Sequence, residues 1–238
     1  ALSQRIAKIY AQLTLDVLPE RSQEIMVAAQ RIIKTSLAEL GRAGFSADIA
    51  GVLQICSADA ERLLGLAAAA PVAARLGDVN KAADQMLHSA DRLTAALEAR
   101  GKAGAKIINI AGRQRMLSQR IAKSFMMIEA GQDMAEMRKQ LDAARSEFVQ
   151  ALTTLEAAPV STPAIKQDLV LASTQWLFFQ NALDGKVKAS ARRDVATTSE
   201  RILEVMDDLT GLYDAALKEL LGSLAYGGTQ YAGLSTTA

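Results

Sequence analysis

Apolar positions in this 238-residue chain recur in steps of three and four, and glycine and proline interrupt them at intervals of helical length. Ile110, Gln114, Leu117, Ile121, Ser124 and Ile128 follow alternating four- and three-residue steps, and Leu2, Ile6, Ile9 and Leu13 repeat the stripe near the start. That stripe is the face each helix turns to its own core. Breaks fall at Pro19, Gly41 to Gly44, Pro71 to Gly77, Gly101 to Gly104, Gly131, Pro159 to Pro163, Gly185 and Gly227-Gly228. The intervals predict eight helices, over roughly 1–18, 20–41, 46–70, 78–100, 105–130, 133–157, 162–184 and 192–224. Asp133 with Glu136 makes a capping-box-like pair, and Thr162 caps a helix that opens on Pro163. Asp78 and Asp194 are read as standing just before the fourth and the eighth helix.

The stripe recurs because the sequence does. Leu-Ser-Gln-Arg-Ile-Ala-Lys occurs twice without a mismatch, at Leu2 to Lys8 and at Leu117 to Lys123, an offset of 115 residues. Asp78-Val79, Leu87, Asp91 and Leu93-Thr94 recur as Asp194-Val195, Leu203, Asp207 and Leu209-Thr210 at an offset of 116. Such a period is the size of a small domain and far exceeds a solenoid unit. The expected architecture is therefore all-α: two tandem up-down four-helix bundles over 1–101 and 102–224, with a flexible tail over 225–238. A turn at Gly101 to Gly104 is expected to lay the bundles side by side, whereas an unbroken helix from about 80 to 130 would place them end to end.

Composition agrees and narrows the chemistry. Half of the residues are hydrophobic and only 4% aromatic, a helical balance. With 27 basic and 26 acidic residues the chain has no field to hold nucleic acid or an anionic membrane, so any anion site must be local. No run of apolar residues is long enough to span a bilayer; membrane attachment would need a segment outside this chain. The single Cys56 excludes an intrachain disulfide and reads as a buried helix residue, and the lone His88 lacks the partners of a metal site. No metal, cofactor or catalytic constellation is expected, so the chain does not read as an enzyme. Trp176, Phe178 and Phe179 are assigned to core or interface packing, and Met126, Met127, Met134 and Met137 to gap-filling or an adaptable surface.

The longest chemically distinctive run is Asn109-Ile-Ala-Gly112-Arg113-Gln-Arg115-Met116-Leu-Ser118-Gln119-Arg120-Ile-Ala-Lys123. Three arginines and a lysine share a helix with a glycine that lets another backbone approach. Gly112, Arg115 and Gln119 lie at i, i+3 and i+7 on the side away from the core stripe and are expected to look outward, toward solvent or a partner. Spacing alone describes a solvated basic face.

The wording of the motif goes further. Asn-x-Ala-Gly-Arg-Gln-Arg-Met-Leu-Ser-Gln-Arg closely resembles the first-helix signature of the type IV pili methyl-accepting chemotaxis transducer N-terminal (PilJ-type) domain, related to nitrate/nitrite sensor domains. The resemblance implies extracytoplasmic, periplasmic four-helix bundles packed with their first helices together. A nitrate or nitrite ion would sit at that seam, held by the arginine of Gly-x-x-Arg-Met, here Gly112, Arg115 and Met116. Gln119, Arg120 and Arg5 complete the candidate binding set.

The first copy departs from the pattern. Ala1 aligns with Met116, so the equivalents of Gly112 and Arg115 fall before the first residue, where a leader or anchor is also expected; Arg5 alone matches an arginine, Arg120. A symmetric homodimer setting Arg115 against Arg115 of another chain is the second route to a two-arginine pocket. The reading is thus a non-catalytic sensor of a small oxyanion, nitrate or nitrite; the alternative is a helical interaction scaffold without a small-molecule ligand.

Overall fold

The computed structural model describes residues 1–99, 105–185 and 188–231. They form eight α-helices: α1 (Leu2–Thr14), α2 (Pro19–Arg42), α3 (Ala47–Ala67), α4 (Leu76–Glu98), α5 (Ala105–Glu129), α6 (Met134–Glu156), α7 (Pro163–Leu183) and α8 (Lys188–Tyr231). A 3₁₀ turn over Ala73–Arg75 precedes α4, and no strand occurs among the described residues. The all-α expectation holds, and each predicted helix has a counterpart.

Local chemistry sets most boundaries. Asp133 accepts from the Glu136 N–H at 3.2 Å and Thr162 from the Ile165 N–H at 3.3 Å, satisfying amides that a helix start leaves open. α1 stops at Thr14, four residues short of the predicted end, because Asp16 and Leu18 take positive φ, 56° and 47°, ahead of Pro19 at the first turn of α2. The turn after α5 has the same wiring. The Val17 N–H donates to Gln12 O at 2.8 Å, and its counterpart Gln132 N–H to Met127 O at 2.9 Å. Where the first turn uses Asp16, the second uses Gly131 at φ +73°.

Three expectations need correction. Asp78 and Asp194 lie inside α4 and α8, whose helices begin upstream at Leu76 and Lys188. α8 also runs through the predicted stop at Gly227-Gly228 to Tyr231. A glycine lowers helix propensity by only about 1 kcal/mol, too little to end a helix that its neighbours continue. The turn at Gly101 to Gly104 and residues 232–238 lie outside the described residues.

Residue pairings give the helix directions. Ala83 and Asp84 of α4 meet Gln4, while Tyr10 meets Ala70 just before α4, so α1 and α4 are antiparallel. Gln119 meets Ser199, Arg115 meets Asp207 and Glu129 meets Arg192, so α5 and α8 are antiparallel too. Asp84 with Lys123 and Asp91 with Arg113 set α4 antiparallel to α5. α1 and α5 therefore run parallel, side by side.

This central position explains the burial of α1, in which Ser3, Gln4 and Ile6 to Gln12 are all buried. Leu117, Ile121, Ser124 and Gln114 of the predicted α5 stripe are fully buried, as are Ile6 and Ile9 of α1. One apolar cluster runs through all eight helices, with a satellite of Ile49, Leu53, Cys56 and Leu93 between α3 and α4. Phe148 stacks on Trp176 at 4.3 Å, and Phe179 meets Trp176 edge-on, which puts both rings in the core; Phe178 is exposed.

Candidate functional site

α1 and α5 carry polar residues into their shared seam at every turn. Gln4, Lys8 and Gln12 follow one i, i+4 row on α1, and Arg115, Gln119 and Lys123 the matching row on α5. Lys8 and Lys123 are wholly buried and must be paired to remain there. Each finds its carboxylate on the far side of the seam. Lys8 Nζ contacts Glu200 of α8 and Ser199 Oγ at 3.2 Å, while Lys123 Nζ lies 2.7 Å from Asp84 of α4. Asp84 and Glu200 are themselves 116 residues apart, so the two pairs are reciprocal.

The electrostatics of this seam follow from burial against charge. Burial lowers the Lys8 and Lys123 ammonium groups from their usual range, and Glu200 and Asp84 oppose that shift. For Glu200 burial pushes upward, but Lys8 and Arg5 together outweigh it and hold the carboxyl at about 2. Gln4 donates to Ala83 O at 3.2 Å and Gln119 to Ser199 O at 2.9 Å, so both amides tie a first helix to its flanking last helix.

Above this polar layer, at the N-terminal end of the seam, α1, α4, α5 and α8 leave a groove of about 450 Å³. Ala1, Gly112, Arg115 and Met116 line it together with Asp91 and Arg113. Arg115 is half-buried; its guanidinium pairs with Asp207, and its Nε lies 3.4 Å from Gly112 O. A methyl group on Gly112 would stand 3.3 Å from Arg115 Nη2 and 3.9 Å from Thr210 Cγ2. The glycine thus leaves room for the Arg115 guanidinium, which a methyl group here would push back by a few tenths of an ångström. Arg113 pairs with Glu147 of α6 and lies 3.8 Å from Asp91.

The structure brings Gly112, Arg115 and Met116 to this groove but not the rest of the candidate set. Gln119 does not look toward solvent: it is fully buried, because the face of α5 turned from its own stripe is covered by α1 and α8. Arg5 is engaged below the groove with Glu200. Arg120, its counterpart, has a buried Nε with no hydrogen-bond partner. Asp84 stands where Arg5 has Glu200 and is one methylene shorter.

Sequence reasoning missed the groove carboxylates Asp91, beside Arg113, and Glu98, which accepts from Asn109, as well as Asp207, the partner of Arg115, and the Lys8–Glu200 and Lys123–Asp84 pairs. The second offset carried a signal for them: it aligns Asp91 with Asp207 and sets an acid at 84 against an acid at 200. Among the described residues no group of three or more His, Cys, Asp and Glu side chains is placed to hold a metal ion, and no helix is long and apolar enough to cross a membrane.

Residues 96–202 match the family described as type IV pili methyl-accepting chemotaxis transducer N-term, PilJ. The matched stretch contains α5, α6, α7, the groove residues of α5 and the first part of α8. Neither a curated protein nor a solved structure matches the chain.

Proposed function

Because residues 96–202 form a PilJ-type sensor domain, of the kind found in chemotaxis transducers, we propose that the chain is a non-catalytic, periplasmic sensor of a small oxyanion. Nitrate or nitrite is the ligand of this reading, and the α1/α5 groove its site. Two related bundles, 1–101 and 102–224, flank that groove. The observation that carries it is Arg115: a guanidinium at the open end of a buried polar seam, with Gly112 leaving room beside it. Charge-assisted hydrogen bonds to a planar anion are stronger than neutral ones, and the half-buried setting reduces their competition with water.

Arg115 is paired with Asp207, so an anion at this guanidinium competes with a carboxylate. That sets the affinity of this chain low and makes it sensitive to the carboxylates of the groove. The experiment is a calorimetric titration with nitrate, nitrite, chloride and sulfate. Nitrate or nitrite is expected to give the largest response, and Arg115→Ala to weaken it by about ten- to a hundredfold while helicity is unchanged, the loss of one charge-assisted contact of about 1.5–3 kcal/mol. Equal affinity in wild type and Arg115→Ala would remove Arg115 from the site. A flat titration with every anion would leave the helical scaffold as the reading.

A further inference from the structure

α7 is apolar on two opposite faces. Ile165, Leu169, Ala172, Trp176 and Phe179 point into the core. On the reverse side Val170, Leu171, Leu177 and Phe178 are exposed, Val170 by 68% and Leu177 by 59%. Gln167, Thr174 and Asn181 fill the same stripe, which carries no charge over about 20 Å of helix. A monomer rarely leaves a contiguous apolar surface of this kind in water.

The stripe is also palindromic. Counted outward from Thr174, the residues at three positions are Leu171 and Leu177, at four positions Val170 and Phe178, and at seven positions Gln167 and Asn181. Apolar answers apolar and polar answers polar. Gln167, Val170, Thr174, Leu177 and Asn181 alternate three- and four-residue steps, the spacing of a helix–helix seam. An isologous two-fold contact needs a surface complementary to itself, and an antiparallel pair of helices centred on Thr174 meets that need.

Charge fixes the same register. Lys166 and Asp184 are eighteen residues apart, about five helical turns, and so lie on one flank of the stripe at its two ends. Lys166 is exposed and makes no ion pair among the described residues; Asp184 is exposed and 3.2 Å from Arg145. In the antiparallel pair Lys166 of each copy stands opposite Asp184 of the other. Val170 then faces Leu177, and Leu171 faces Phe178.

We propose that the outer face of α7 is the contact face of a two-fold homodimer of this chain, centred on Thr174. The proposal is independent of what the α1/α5 groove binds. It is tested on the whole chain by sedimentation and light scattering over a concentration series, and by cross-linking. Cys56 is the sole cysteine and is buried, so Thr174→Cys introduces the only accessible thiol. Thr174→Cys is expected to form a disulfide-linked dimer under mild oxidation, and Lys34→Cys, on the distant helix α2, is not. Leu177→Glu is expected to yield monomers of unchanged helicity. Lys166→Asp should weaken dimerisation by about tenfold, two exposed ion pairs being lost, and adding Asp184→Lys should restore it. A wild-type monomer at the highest concentration, a dimer that survives Leu177→Glu, or a dimer in which Thr174→Cys does not cross-link would each overturn the proposal. If Leu177→Glu misfolds, the cross-link and the paired charge reversal decide.

Discussion

Lys8 is the residue on which the seam most depends, because its ammonium is wholly out of water and rests on one carboxylate, Glu200. Glu200→Gln keeps the shape and strips the charge, leaving Lys8 buried without its counter-ion. The expected loss is about 3–5 kcal/mol, read as a lower urea midpoint at pH 7. The same carboxylate makes stability depend on pH. Held at about 2 against an ordinary value of 4.5, Glu200 binds fewer protons when folded than when unfolded, so its contribution is present above pH 4.5 and is lost as pH falls toward 2. Urea midpoints of the wild type should fall across that window, and in Glu200→Gln the slope should flatten. At this scale the repeat had marked Lys8 and Lys123, and the periodicity had marked Ile6, Leu117 and Ile121 as core. What it had not marked was who pairs with whom: a helical period says which face a residue occupies, not which distant helix covers that face.

Among the elements, the turns after α1 and α5 show how one backbone conformation accepts two residues. Asp16 and Gly131 both sit at positive φ at equivalent points, and no atom lies within 4 Å of where a Gly131 side chain would begin. Gly131→Ala therefore meets no clash, only the left-handed backbone, and should cost about 1 kcal/mol of stability, a shift of a few degrees in thermal midpoint. The helices themselves were legible because breakers and caps act locally, as Asp133, Thr162 and Pro163 do. The early end of α1 was not. Residues 15 to 18 carry an apolar pattern that fits a further helical turn, and only the positive φ at Asp16 and Leu18, set by how the chain must enter α2, breaks it. α7 was under-read for the opposite reason. Its core face accounts for Trp176 and Phe179, whereas of the second apolar face only Phe178 stands out in the sequence, as an aromatic beside them.

On the scale of the whole molecule, α1 and α5 run parallel between α4 and α8, and the ion pairs of Lys8 and Lys123 cross the seam in opposite senses. This exchange locks the two sides in one register. It also places Arg113 and Arg115 of α5 at an open end, where α1 contributes Ala1. That Gly112 and Arg115 turn away from the core stripe of α5 was legible in the helical spacing; that Asp91 and Asp207 stand near Arg113 and Arg115 was signalled only by their alignment at the second offset, since a repeat does not say which helices meet. In the proposed function a small oxyanion competes with Asp207 for the Arg115 guanidinium. The most direct measurement is the nitrate dissociation constant of three proteins side by side: wild type, Arg115→Ala and Asp207→Asn. Asp207→Asn frees the guanidinium without removing it, so affinity should rise by about tenfold over wild type, while Arg115→Ala should fall below it. An Asp207→Asn protein that binds nitrate no better than Arg115→Ala would contradict the account.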